Sequence, residues 1–444
     1  MRQDADRSHF MSWGRVHRRT QHVIAPSFRD ELQKYLPRSS PTPLDESLLG
    51  VGLGRSYGDS CLNSRGTLLQ MTRLDRIIAF DPKRGVFRAE AGLSFADALA
   101  FLVPRGFFLP TTPGTRFVTL GGAIANDVHG KNHHKAGAFG CAVTQLSLLR
   151  SNGENIILQP SDSLFAATIG GLGLTGIIEW AEIKVTPIAS AFLDVEYRAF
   201  ASLDDFFAIT QADESEQWEH NVAWVDCLAR GRALGRGIYS RARWRENGDY
   251  AIHDALPRLN LPFEAPDWVL NRYSLRIFNE LYFARNKGRK YGPLHYAPYL
   301  FPLDSIANWN RLYGARGMYQ YQCVLPAHAA RQGIRAMLEH ISNAGEGSFL
   351  AVLKQFGAYP SRGMLSFARP GITLALDFPN KGAETLRLMA NLDTIVAKAG
   401  GALYPAKDGR MSAAMFRASF ERLDEFRKHV DPALHSDFWQ RVSA

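Results

Sequence analysis

The sequence predicts an α+β fold. Three observations carry that expectation: short strand-like segments punctuated by glycine dominate residues 1–187, a few helices are scattered among them, and the two do not alternate strictly as a doubly wound parallel sheet requires. Leu48 to Leu53 and Thr67 to Met71 are apolar runs bounded by turn residues, the pattern of buried strands. Val86 to Ala91 alternates as a half-buried strand does. Ser94 opens a helix as its cap, with Asp97 at the third helical position and Phe95, Ala98, Leu99 and Leu102 on one face, and Pro104 and Gly106 end it. Asn152-Gly153, between Leu146–Leu149 and Ile156–Leu158, predicts a hairpin, and a strand from Ile177 to Val185 closes the region at Pro187.

From about Ala189 the composition shifts towards aromatics and arginine. Tyr273, Phe278, Tyr282, Phe283, Tyr291, Tyr296, Tyr299 and Phe301 fall in a stretch poor in regular periodicity, which reads either as a long binding loop or as aromatic packing beneath one. Helical periodicity resumes through Leu386, Met389, Leu392 and Ile395. The expected division is a first domain over 1–187, a second over 188–400 and a C-terminal segment over 401–444 that returns to the first.

A chain of 444 residues, 46% hydrophobic and 21% charged, can bury two sizeable cores. Its formal charge of +9 is spread along the chain, which suits a phosphate-bearing ligand or an anionic membrane surface better than nucleic acid. Cys61, Cys141, Cys227 and Cys323 are far apart, so neither a zinc ribbon, a redox dithiol nor a disulfide scaffold is expected. No signal sequence or spanning helix is read, and the expected location is cytoplasmic, with peripheral attachment to the inner membrane face as a variant.

The chemistry concentrates in a few segments. Gly52-Leu53-Gly54-Arg55-Ser56-Tyr57-Gly58-Asp59 follows a strand, where glycines let backbone N–H groups form an anion-binding concavity. Pro113-Gly114-Thr115, then Thr119-Leu120-Gly121-Gly122-Ala123-Ile124-Ala125-Asn126, reads as a loop entering a helix with small residues at the contact. Two such segments in one strand-rich region point to a flat, diphosphate-bearing cofactor. Gly171-Leu172-Gly173-Leu174-Thr175-Gly176 matches the nicotinamide-dinucleotide fingerprint by letter, but a strand is expected after it where that fingerprint needs a helix, so it is rejected as such. Asp127-Val128-His129-Gly130-Lys131-Asn132-His133-His134 is the densest polar cluster. A metal site on His129 and His133 is the alternative there to an imidazole and an ammonium beside an electron-accepting ring; Gly130 and the lack of a His-Glu-x-x-His pattern weigh against metal.

Together these segments resemble the vanillyl-alcohol oxidase type of FAD oxidoreductase, and within it the decaprenylphosphoryl-β-D-ribose 2-oxidase family. The resemblance is carried by Gly52–Asp59, Pro113–Arg116, Gly121–Ala125, His129–His134, Gly173–Ile178, Trp309–Arg311, Tyr404, Ala406–Asp408 and Val430–Pro432, in that order. It implies a two-subdomain FAD-binding domain with an inserted substrate domain built on an antiparallel sheet, and FAD bound without a covalent link. It places Gly54, Arg55, Ser56, Tyr57, Gly58, Asp59, Pro113, Gly114, Thr115, Thr119, Gly121, Gly122 and Asn126 around the FAD. His129, Gly130, Asn132, Gly176, Ile177, Ile178 and Tyr404 complete that cofactor set. Tyr57, Lys131, Gln320, Gln322, Lys354 and Lys407 would face the substrate, with Lys407 first, His129 second and Tyr404 beside them as catalytic groups.

The chemistry asks for such groups independently, because oxidising a secondary alcohol needs a base at the hydroxyl while hydride leaves the same carbon. One departure is plain: the mycobacterial members of that family carry a cysteine two residues before Asp-Phe-Pro, and here that position is Ala375, before Asp377-Phe378-Pro379. The expected activity is oxidation of the ribose 2-hydroxyl of a polyprenyl-phosphate-linked sugar, with a short-chain reductase as partner to complete epimerisation. An aldonolactone or alditol oxidase on a small sugar, and a flavin-binding protein without catalysis, are the alternatives.

Overall fold

The computed structural model describes all residues except 1–5, 9, 38–41, 213–216, 247, 253–256, 258, 289 and 444. Three sheets organise it. In the first, Asp6–Ser8, Gln21–Ile24, Thr67–Gln70 and Leu48–Val51 lie in that spatial order, with the last three parallel. The second is antiparallel throughout, in the order Ile77–Asp81, Val86–Glu90, Ile177–Lys184, Val143–Leu149 and Asn155–Leu158. The third is an eight-stranded antiparallel sheet: Lys290–His295, Phe192–Phe200, Gly237–Trp244, His220–Val225, Val352–Phe356, Gly371–Pro379, Met318–Leu325 and Ala402–Leu403. Mixed helix and sheet with large antiparallel sheets is the α+β class expected.

Local elements follow from local chemistry. The Ser94 hydroxyl accepts from the Asp97 N–H at 3.1 Å, and the helix Phe95–Leu102 buries Phe95, Ala98, Leu99 and Leu102 against the second sheet's core. Gly153 takes φ +85° in the loop joining Val143–Leu149 to Asn155–Leu158, the expected hairpin. The helix Ala327–Ala344 buries Ile334, Met337, Leu338 and Ile341 against the large sheet, each side chain contributing about 1.5–3 kcal/mol by leaving water.

Three expectations need correction. Val86–Glu90 is not half-buried: only Arg88 is partly open, Phe87 and Ala89 sit in the core, and Glu90 is held by Arg29 and Arg76. In the helix Ala383–Lys398 the packed face is Leu388, Met389, Leu392 and Val396, while Leu386 points outward at 37% exposure. The aromatic stretch is not an irregular loop. Arg272–Asn286 is a fifteen-residue helix, capped by Asn271, whose side chain accepts from the N–H groups of Tyr273 and Ser274. Apolar residues occupy two of its faces, one packed on the protein and one open, the open one spaced every four residues through Tyr273, Ile277 and Leu281.

The C-terminal segment binds the sheets together. Ala402–Leu403 closes the edge of the large sheet, and the chain then runs back so that the Leu48 N–H donates to Ala433 O and the His435 N–H to Leu48 O. Helix Asp437–Val442 presents Arg441 to Asp59 and Asp408 at 2.7 and 2.9 Å. Among the described residues, no helix is long and apolar enough to cross a membrane.

Candidate active site

Where the three sheets meet, a cavity of about 1080 Å³ opens between the glycine-rich segments and the large sheet. The first segment turns at Gly54, whose φ of +63° is left-handed and suits glycine. It also lies against the second segment: a Cβ on Gly52 would sit 2.2 Å from Thr119 Oγ1. That hydroxyl in turn caps the helix Leu120–Ala125, accepting from the Gly122 N–H at 3.2 Å. Arg55 is fixed over the Trp13 ring at 4.0 Å and donates to Phe117 O, and Gly114 faces open space with nothing within 4 Å of its would-be side chain. Side-chain-free backbone on two facing walls suits a flat, anionic group, as FAD is.

The helix stops at Asp127, a non-glycine residue at φ +40° and fully buried. Its carboxylate accepts from the Gly140 N–H at 2.8 Å and the Ser366 hydroxyl at 2.5 Å, and these bonds hold the turn that aims His129 at the cavity. The His129 imidazole is kept neutral, first by burial and then by Lys354, His133 and Lys407 around it. The Gln322 amide donates to its Nε2 at 2.9 Å, which assigns the proton to Nδ1; that atom is buried with no hydrogen-bond partner among the described residues. A histidine whose lone pair is already engaged is a poor base.

Strand periodicity builds the opposite wall. Gln320 pairs with Asp377, Gln322 with Ala375 and Ala375 with Val352, so alternate residues of three neighbouring strands face the cavity, Lys354 among them. Gln320 donates to the buried Asp377 carboxylate at 2.5 Å. The chain then turns at Pro405–Lys407 and sets the Lys407 ammonium 4.0 Å from the Tyr57 ring centroid. Burial lowers the affinity of Lys407 for its proton, opposed by Asp377 and assisted by Lys354; burial raises the Asp377 carboxyl. Burial also pushes Lys354 down to about 8, and burial with Lys354 pushes Lys131 down to about 7. Lys131 is held against Tyr299, donating to its carbonyl. Three lysines and a histidine that disfavour one another's charge line one cavity, an arrangement that an anionic ligand relieves.

Most residues expected at the site line this cavity, from Gly54 through Tyr57, Pro113 to Thr115, and Thr119 to Lys131, and on to Gly176–Ile178, Gln320, Gln322, Lys354, Tyr404 and Lys407. Three do not. Gly58 is a packing glycine, whose Cβ would meet Asp408 O at 1.6 Å. Asp59 is the buried partner of Arg441, and Asn132 donates to Pro110 O at 2.7 Å. Tyr404 lines the cavity, but its hydroxyl donates to Asn126 O at 2.9 Å and burial keeps it protonated, so it positions the wall instead of exchanging protons. His129 and His133 do not share a helix face, since the short helix begins at His133. Sequence reading missed Trp13, Ser60, Trp224, Asp304 and Val352; for Val352 the alternation with Lys354 was the available signal.

Comparison with known proteins agrees with this geometry. Residues 20–159 match the family described as FAD binding domain. The chain is 35% identical over 436 residues, 95% of its length and 94% of the relative's, to decaprenylphosphoryl-β-D-ribose oxidase of Mycolicibacterium smegmatis. Shorter matches are a putative D-arabinono-1,4-lactone oxidase of Neurospora crassa, 30% identical over 32% of this chain and 25% of the relative, and D-lactate dehydrogenase of Anaerostipes hadrus, 25% identical over 40% and 39%. An FAD-binding region matched where the glycine-rich walls lie, within a similarity running nearly end to end, places the molecule: the chain belongs to the decaprenylphosphoryl-β-D-ribose oxidase family of FAD-dependent oxidoreductases.

Proposed function

We propose that the chain oxidises the 2-hydroxyl of a polyprenylphosphoryl-β-D-ribose to the 2-keto sugar. The observation that carries this reading is the cluster Lys131, Lys354 and Lys407 on the cavity wall, each with a weakened hold on its proton, of which Lys131 and Lys354 are relieved by the phosphate of an anionic sugar substrate. Bound FAD supplies the hydride acceptor. Lys407 Nζ, partly neutral near physiological pH, takes the hydroxyl proton, and the Asp377 carboxylate behind it stabilises the ammonium that results. Lys131 and Lys354 hold the phosphate. The amide N–H groups of Gln320 and Gln322 are committed to Asp377 and His129, which leaves their carbonyl oxygens to accept from sugar hydroxyls. The cofactor is held without a covalent bond, so acid precipitation releases it into the supernatant.

In this reading the first two sheets act as two subdomains of a flavin-holding unit over 1–187, residues 188–400 supply the substrate wall, and 401–444 return to complete the site. A short-chain reductase consumes the keto sugar, at the cytoplasmic face of the membrane. The test is anaerobic mixing with lipid-linked ribose, an aldonolactone and an alditol. Bleaching of the oxidised flavin band by the lipid-linked sugar alone is expected; bleaching by the lactone or alditol alone overturns the substrate assignment in favour of a small-sugar oxidase.

A further inference from the structure

The helix Arg272–Asn286 and the segment before it expose an apolar surface that the protein leaves uncovered. Tyr273, Ile277 and Leu281 recur every four residues along the helix and are 61%, 61% and 66% exposed, while Leu275 and Asn279 face the protein. Phe263 and Trp268, just upstream, are 73% and 74% exposed. Large side chains this open in one run of about twenty residues exceed the scattered exposure ordinary to a surface.

The charges beside this surface are unequal. Its acids are matched from elsewhere in the chain, Glu264 by Arg15, Asp267 by Arg316 and Glu280 by Arg236. Its cations Arg272, Arg276, Arg285 and Lys287 have no carboxylate partner among the described residues. Phe278 and Tyr282 belong to both places: they are 41% and 37% exposed, and they line the cavity. The apolar surface therefore continues into the cavity wall.

We propose that this face docks on an anionic lipid surface, with Tyr273, Ile277, Leu281, Phe263 and Trp268 entering the headgroup boundary and the unmatched arginines meeting lipid phosphates. The charge asymmetry selects this occupant. A second copy of the chain would set the same cations against each other, whereas a negatively charged bilayer pairs them while covering the apolar side chains. Resting on the proposed lipid-linked substrate, the docking also gives a route: the sugar headgroup passes along Phe278 and Tyr282 towards Lys407 while its tail stays in lipid.

The test needs no substrate, so its failure is separate from failure of the proposed reaction. Flavin-loaded protein is floated with vesicles of phosphatidylcholine alone or mixed with phosphatidylglycerol, in low and high salt. Flotation with the anionic vesicles only, weakened by salt, is expected. The double variant Arg272→Glu/Arg276→Glu lowers vesicle affinity at least about tenfold, given roughly a fivefold effect per surface cation. Ile277→Ser/Leu281→Ser lowers it similarly with flavin absorbance unchanged, because neither residue lines the cavity. No flotation of the parent protein, or variants that float as it does, overturns the proposal. So does sedimentation showing a stable dimer that Leu281→Ser dissociates, since the face would then belong to a second copy.

Discussion

The two walls of the cavity are built on opposite principles. The glycine-rich wall works by removing side chains: Gly52 against Thr119 and the turn at Gly54 let backbone come close to whatever lies between. The sheet wall works by presenting side chains, with Gln320, Gln322 and Lys354 at alternate strand positions and Lys407 on the turn beyond. A wall of backbone offers fixed dipoles and no titration, which suits a group that stays bound. A wall of crowded lysines changes charge with its contents, which suits a substrate that arrives charged and leaves altered.

The largest expected effect separates the two walls. Lys407→Met slows flavin reduction by about 10²-fold or more in anaerobic stopped flow while FAD content stays at the parent level. Loss of FAD instead would show that Lys407 belongs to the cofactor wall. Next comes Gly58→Ala, which joins the walls, because the added Cβ would lie 1.6 Å from Asp408 O, next to Lys407. It lowers both thermal stability, by roughly 1–3 kcal/mol, and FAD affinity; unchanged melting and flavin content would mean that the contact yields freely.

Smaller effects come from titration. Folded Lys354 releases its proton near pH 8, against 10.5 for the free side chain, so unfolding takes up a proton between those values and its penalty is full below them. Stability of the substrate-free protein therefore rises with pH across this window. Lys354→Met stabilises at neutral pH by on the order of 1 kcal/mol and removes that rise, measured by chemical denaturation at several pH values. Turnover rises with pH through the lowered value of Lys407, which must be neutral to take a proton. The smallest change concerns Ala375 on the sheet wall. Inhibitors that act through a cysteine at this position form no adduct with the parent protein by mass spectrometry, and Ala375→Cys gains one while turnover stays within about twofold.

The glycine wall was the more legible of the two because it depends on contiguous residues. Gly52–Tyr57 and Thr119–Asn126 are local patterns, and the capped helix at Ser94 and the strand after Gly176 could be read the same way. The sheet wall brings together Gln320, Gln322, Lys354 and Lys407 from distant parts of the chain, so the family resemblance located them and periodicity did not, whereas Lys131 stood out locally in the polar cluster after Asp127. Helix Arg272–Asn286 offered two local signals, the Asn271 cap and the four-residue spacing of Tyr273, Ile277 and Leu281, but that spacing marks its open face and not a buried one. Asp59 shows the limit of reading by adjacency: its place beside a cofactor motif reads as that of a ligand, and its side chain is engaged by Arg441.

Arg441 makes the timing of assembly a property of the fold. Its guanidinium joins Asp59, at the end of the first glycine segment, to Asp408, next to Lys407, so both walls are fastened by a side chain 33 residues beyond the later of them. During synthesis the first glycine segment emerges early, yet this clasp forms only when the helix Asp437–Val442 has left the ribosome. The two walls are therefore made well before the side chain that ties them together, and their final spacing waits on it.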